Sequence, residues 1–582
     1  MRSGRNWVGV LLFIAAGFVL SAAEPAPVPA APAPVPQVAS PKPNCSALVF
    51  TDVGSVEFEA PPEGTVIRFT LDGTTPTAKS YVYSAPLRAA ESLMITAACF
   101  KGEQRCSPPV TVDCARWADV PDAKRDAGLY ASVANGSWGE LPVMSTLAAD
   151  IKPVVALSLD GQKDPCAIQF EGFIQIKKDG TYTFSVEGNG PTSLRLATAR
   201  VVKDHAPGTV ALKAGVYPFV FVCTANAGAI PNVFIEGPEV AKQKIPTELF
   251  SRGAKPPIGG ITVTTSMDGQ KFYKPELAVD GRPGTFFWTT RGLTTQDHFT
   301  LTFAKPVALN DVEVITGKPE GGDSLEKGVL EISEDGTTFS EVAPFKYGNA
   351  SAALNDKQIK ALRIRPTKAQ GGWLAIREIY LNAKAPALSG KPTAAINLDF
   401  SDSPEMKDWA LRAQKDADAE YPSICERLKS EGFTAPRQIM FIFKKDKGIA
   451  WTIGTTITFA QGWIEAHPRD TGTVIHELTH VIQSYHGKNP GWLVEGVADY
   501  VRWFNWEPID KRPHVNPARA KYTNGYQDTA AFLVWIEKTV DKDFTAKANK
   551  AMRESSFSMD IFKDATGKDL EALWKDFVES SK

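Results

Sequence analysis

The hydrophobic period of this chain changes once, near residue 394, and that change limits the folds open to it. From about 45 to 384, apolar and polar residues alternate over short runs, as at 66–71, 181–186, 216–223 and 361–365. A period of two marks strands with one buried face. Asp72-Gly73, Asp179-Gly180, Asp280-Gly281 and Asp335-Gly336 punctuate these runs, and such pairs suit tight hairpin turns. From Ala394 onward the period lengthens. A helix is expected over 404–429, strands over 437–443 and 457–459, and helices from there to the end. The predicted fold class is multidomain: three antiparallel β-sandwich modules followed by one α+β domain. A length of 582 residues, set against about 150 per domain, agrees with that division.

Composition shifts mark the boundaries. Residues 24–44 are almost entirely Pro, Ala and Val, which predicts an extended linker without a core. SRGAKPPIGG at 251–260 and AKAPALSGKP at 383–392 separate the later units, and a weaker break falls at 113–122. The expected domains are 45–115, 124–250, 259–384 and 394–582. Ahead of the linker, Arg2 and Arg5 precede an apolar run at 8–20 that is too short to span a bilayer comfortably, and Ser21-Ala22-Ala23 follows. This predicts a signal peptide over 1–23, cut after Ala23, and a mature chain that is secreted, periplasmic or at the cell surface, with no membrane span. A formal net charge of -2 gives no basic field for nucleic acid. The seven cysteines (Cys45, Cys99, Cys106, Cys114, Cys166, Cys223 and Cys425) include no CxxC pair. In an exported protein they are expected to form disulfides. Cys166 and Cys223 are candidates to pair, the four up to Cys114 allow three connectivities, and Cys425 is left as a buried thiol.

Residues 474–486 read VIHELTHVIQSYH. Val474, Ile475, Leu478, Val481 and Ile482 form an apolar face at helical spacing. His476 and His480, four apart, therefore project from one side. Two imidazoles so placed can bind one zinc ion, and the Glu477 between them sits where a water on the metal would be. Gly487 is the expected helix stop. A catalytic zinc usually takes three protein ligands. Glu495, fifteen residues on, supplies the third from a second predicted helix capped by Asn489 with Pro490 at its first position. Asp499, one turn beyond Glu495, is placed to accept a hydrogen bond from the free N–H of a ligating histidine. The segment 453–459 is a candidate edge strand for an extended substrate.

These pieces carry resemblances. Leu71-Asp72-Gly73-Thr74-Thr75-Pro76-Thr77 with Tyr83 and Pro86 resembles the small sandwich at the ends of chitobiases and hexosaminidases. Residues 124–250 resemble the protective-antigen-type sandwich through Gly128-Leu129-Tyr130, Phe170-Glu171-Gly172, Asp179 to Phe184, Leu194-Arg195-Leu196 and Gly215-Val216-Tyr217. Where that family carries consecutive aspartates, this chain reads GNGPT at 188–192, so calcium-dependent sugar binding is not implied. Residues 259–384 resemble a discoidin, or coagulation-factor type C, module through Ala278-Val279-Asp280-Gly281, Thr285, Trp288, Ser333-Glu334-Asp335-Gly336, Trp373-Leu374 and Arg377-Glu378-Ile379. Many relatives of the second and third modules bind glycans. Trp288 and Trp373 are therefore read either as core residues or as stacking surfaces for sugar rings.

Residues 394–582 resemble the basic secretory protein family of zinc peptidases. The carriers are Gly448-Ile449-Ala450-Trp451-Thr452, Ile457-Thr458-Phe459, the 474–483 helix, the 492–502 segment and Gly525-Tyr526-Gln527-Asp528-Thr529-Ala530. The resemblance implies a glutamate-zincin metallopeptidase with Zn2+ as cofactor, His476, His480 and Glu495 as ligands, and Glu477 as the base. Tyr526 is the candidate oxyanion donor, with His486 and His514 as competitors. The expected partners are a peptide or protein substrate, possible glycosylation included, and a carbohydrate ligand for the sandwiches. The rival readings are a glycan-binding adhesin with a degenerate zincin domain, and a glycosidase, for which no paired-carboxylate motif is found.

Overall fold

The computed structural model describes residues 37–117, 124–159, 161–162, 164–225, 229–385 and 390–580. The expected signal peptide and residues 24–36 of the linker lie outside the described residues. The rest of that linker is not a free spacer. Val38 N–H donates to the Cys106 carbonyl and Asn44 N–H to that of Glu57, so residues 38–44 lie along the first sandwich.

Strands dominate up to Leu381 and helices concentrate beyond Lys407. The first sandwich sets a sheet ordered Ala47–Phe50, Val110–Arg116, Leu93–Lys101, Val66–Thr70, Tyr81–Val82 beside a ribbon of Gly54–Val56 and Leu87–Ala89. One pairing departs from the antiparallel plan, since Ala47–Phe50 runs parallel to Val110–Arg116. The weak break expected at 113–122 begins inside that last strand. The second unit faces an eight-stranded sheet with a four-stranded one around Phe170, Phe184, Phe219 and Phe221. The third is built on two 18-residue strands, Phe299–Thr316 and Asn349–Pro366, that pair along most of their length.

All seven cysteines are free thiols in this structure, which corrects the expectation of disulfides. Cys166 and Cys223 lie on paired strands but out of register: Cys166 faces Ala225 and Cys223 faces Ile168. They are diagonal neighbours, and burial raises the Cys223 thiol to about 12. Cys425 is half-buried, and burial raises its thiol to about 11.

In the C-terminal domain a four-stranded sheet is ordered Ala395–Asp399, Gln438–Lys444, Thr456–Ala460, Ala450–Ile453. The first three are parallel and the last is antiparallel. Helix α1 (Lys407–Arg427) makes the first crossover. Then follow α2 (Gln461–Ala466), α3 (Gly472–Gln483), α4 (Gly491–Val501), α5 (Tyr526–Thr539), α6 (Phe544–Arg553), α7 (Asp560–Thr566) and α8 (Leu570–Ser580). Phe441, Phe459, Trp409, Leu478, Val497, Phe532 and Phe562 belong to the single core between sheet and helices.

The first sandwich is joined to this domain by polar groups that each side lacks alone. Buried Asn397 accepts from Arg88 N–H at 2.7 Å and donates to Arg88 O at 3.0 Å. Gln438 donates to the same carbonyl and accepts from Ala90 N–H, while Asp399 accepts from Val82 N–H. Half-buried Arg282 of the third sandwich reaches buried Asp113 of the first at 2.5 Å. These contacts satisfy polar atoms that are costly to bury unpaired.

Candidate active site

Helix α3 is almost wholly buried, and its apolar face of Val474, Ile475, Leu478, Val481 and Ile482 fixes its rotation. That rotation turns His476 and His480 toward a cleft of about 1500 Å³. The helix ends at Gln483, with Ser484 in the left-handed conformation, rather than at the expected Gly487. Ser484 N–H bonds back to His480 O, so the stop comes three residues early. Helix α4 begins after Pro490, and Asn489 does not cap it but donates to His486 O and Met552 O.

The two helices converge on three atoms. His480 Nε2 lies 3.2 Å from His476 Nε2. Glu495 Oε2 lies 3.2 Å from His476 Nε2 and 3.5 Å from His480 Nε2. Among the described residues this is the one group of three or more potential metal ligands gathered within 4.8 Å. The outer ring nitrogens are engaged elsewhere. His476 Nδ1 donates to buried Asp499 at 2.7 Å, and His480 Nδ1 donates to Gln483 Oε1 at 2.8 Å. Gln483 Nε2 donates in turn to Val494 O. Both inner lone pairs therefore face the same point. Ligands around a tetrahedral zinc with bonds of about 2.0–2.1 Å stand about 3.3–3.4 Å apart, so the donor set and its spacing fit that ion.

The electrostatics match this geometry. Burial works to lower the pKa of His476, but its hydrogen bonds to Asp499 and Glu495 prevail and hold it at about 9. Burial works to raise that of Glu495, but its hydrogen bonds and ion pairs with the two histidines bring it to about 2.

Glu477, buried beside His476, turns its carboxylate to the edge strand Ala450–Ile453, where Thr452 Oγ1 donates to Oε2 at 2.6 Å. The edge strand is Ala450–Ile453, not the expected 453–459: Thr456–Ala460 is paired on both sides, and Gly454-Thr455 is the turn between them. Tyr526 opens α5 at φ 45, a left-handed conformation costing roughly 1–2 kcal/mol outside glycine. The strain is held where Gly496 lets α5 approach α4, for a Cβ there would come within 2.2 Å of Thr529. It sets the Tyr526 ring parallel to His476 with centroids 6.0 Å apart. Burial and the carboxylates of Glu495, Asp499 and Glu477 raise its pKa, so the phenol keeps its proton. His486 and His514 are exposed and do not line the cleft. Thr452 and Gln483 were not singled out as site residues from the sequence, although Gln483, three residues after His480, lies on the histidine face.

The comparisons with known proteins bear on this domain directly. Residues 414–577 match the BSP family, described as peptidase of plants and bacteria. The peptidase-family match takes in α3, α4, α5 and the edge strand. Two further matches lie ahead of it: the chitobiase/beta-hexosaminidase C-terminal domain over 49–111 and the F5/8 type C domain over 260–379. No curated protein matches the chain. Among solved structures, similarity is found to the CBM32-1 module of a family 31 glycoside hydrolase from Clostridium perfringens, at 20% identity and TM-score 0.19, covering 21% of this chain and 92% of that one. It is found also to chitosan-binding module 2 of a chitosanase/glucanase from Paenibacillus sp. IK-5, in complex with chitotriose, at 13% identity and TM-score 0.19, covering 21% and 95%. A third is an anti-sigma factor domain-containing protein from Clostridium clariflavum, at 11% identity and TM-score 0.20, covering 45% and 97%. Scores this low carry no functional argument.

In the F5/8-type module Trp288 and Trp373 are both half-buried. They meet edge to face at 5.3 Å, and Trp288 Nε1 donates to Asp323, so the pair is neither fully core nor a free platform.

Proposed function

We propose that the chain is an exported zinc-dependent peptidase whose sandwich modules direct it to glycans or glycoproteins. One observation carries the reading: three donor atoms, two imidazole nitrogens and one carboxylate oxygen, spaced 3.2, 3.2 and 3.5 Å apart, as the ligands of one zinc ion would be. Zinc, when bound, polarises a carbonyl and brings the pKa of water toward about 7. His476, His480 and Glu495 hold the ion, while Asp499 and Gln483 fix the histidine tautomers. Glu477 takes the proton from the attacking water on its carboxylate and delivers it to the leaving amine. Tyr526, protonated and facing the cleft, donates to the developing oxyanion. The edge strand Ala450–Ile453 lines the same cleft and offers unpaired backbone groups to an extended peptide. The F5/8-type match over 260–379 supports the targeting role.

The test compares the chain from residue 24 onward with its Glu477→Gln variant for bound zinc and for cleavage of a mixed peptide library read by mass spectrometry. The expected result is about one zinc in each and cleavage by the wild type alone. A wild type that binds no zinc, or binds it and cuts nothing, refutes the proposal.

A further inference from the structure

We propose that Thr452 is a positioning residue for Glu477, its hydroxyl holding the carboxylate in one orientation. The inference rests on the peptidase reading and names the part of the chain that aims its base. Thr452 Oγ1 has two acceptors in reach on the same residue: Glu477 Oε2 at 2.6 Å and the Glu477 backbone carbonyl at 3.1 Å. A hydroxyl has one proton to donate and lone pairs to accept. The shorter of the two contacts is to Oε2, at the length of a strong O–H···O bond. The two contacts set the strand hydroxyl against the Glu477 side chain and so hold its carboxylate in one orientation.

The strand that bears Thr452 is itself held from outside the peptidase domain. Its turn is tied by Thr455, whose hydroxyl donates to Glu320 O of the third sandwich at 2.6 Å. The neighbouring Thr456 hydroxyl meets the Tyr81 hydroxyl of the first sandwich at 3.3 Å. Thr452 is only half-buried, so packing alone does not fix it; the anchored hairpin does. The sandwiches are thus part of what orients the base.

The test uses the full mature chain with Thr452→Val, which keeps the β-branched shape and removes the hydroxyl, and Thr452→Ser, which keeps the hydroxyl. Thr452→Val is expected to lose kcat about 10- to 100-fold, on the scale of misplacing a catalytic group by an ångström, with KM and zinc content unchanged. Thr452→Ser is expected to stay within about 3-fold of wild type. Crystal structures of both variants supply a readout besides activity. Glu477 should leave its position in Thr452→Val and keep it in Thr452→Ser. An unmoved Glu477 or an undiminished kcat in Thr452→Val overturns the inference, as does an equal loss in both variants. An inactive, zinc-free wild type sinks the peptidase reading instead, and the Glu477 position in the two crystals still decides the role of Thr452.

Discussion

The link between Asp499 and His476 offers a quantitative test of the proposed metal site. Asp499 is 4% exposed, and its Oδ1 lies 2.7 Å from Nδ1 of His476. The substitution Asp499→Asn keeps the shape and leaves an amide oxygen to accept the same proton, so what it removes is the charge. A hydrogen bond to a charged group contributes about 1.5–3 kcal/mol, against about 0.5–1.5 kcal/mol for a neutral one. The difference of about 1–2 kcal/mol corresponds to a zinc dissociation constant raised roughly 5- to 30-fold. That range overlaps the 10- to 100-fold typical of groups that orient a metal-binding histidine. Competition against a fluorescent chelator at pH 7.5, with circular dichroism to verify folding, measures it. A folded variant whose zinc affinity stays within about 2-fold of wild type would refute the argument that the Asp499 charge stabilises the ligand set.

The metal-free protein should show the opposite side of the same coupling. The folded-state pKa of His476 is raised from 6.5 to about 9, so its contribution is fully present below pH 6.5 and is lost as pH rises through about 9. That amounts to roughly 3 kcal/mol, and melting scans in chelator at pH 6.5 and 9.5 should show a fall that His476→Gln lacks. An equal fall in the variant would exclude His476 as its source. At the seam between sandwiches, Arg282→Met alone leaves Asp113 charged and buried and should cost about 3–5 kcal/mol, whereas Arg282→Met with Asp113→Leu should recover most of it. Denaturant titration of both variants decides, and a single-variant cost below about 1 kcal/mol would show that the pair carries little.

The sequence was most legible where a side-chain period and a chemical requirement coincided. His476, Glu477 and His480 stand on a helix whose apolar face is unmistakable, and Glu495 follows on a second one. The edge strand was placed one hairpin arm late, because 453–459 alternates well but Gly454-Thr455 is a turn within it. The helix stop at Ser484 was missed because a serine in left-handed backbone has no sequence signal as strong as that of Gly487. The strand Ala395–Asp399 went unread, since parallel strands are buried on both faces and do not alternate. Thr452 and Gln483 are single polar residues whose roles come from what lies across the cleft or one turn away. Cys166 and Cys223 stand out of register on paired strands, a property of strand alignment that spacing along the chain does not contain.

Asn397, Asp399 and Gln438 have a further consequence for how such a protein can change over time. Their side chains are completed by backbone groups of residues 82–90 in the first sandwich. A domain shuffled in to replace that sandwich would have to present the same run of amides and carbonyls in the same order. At these three residues the junction constrains the path of the neighbouring chain, while Arg88 on Asp418 and Tyr81 on Thr456 constrain two of its side chains as well, so the two units can diverge in sequence only so long as they travel together.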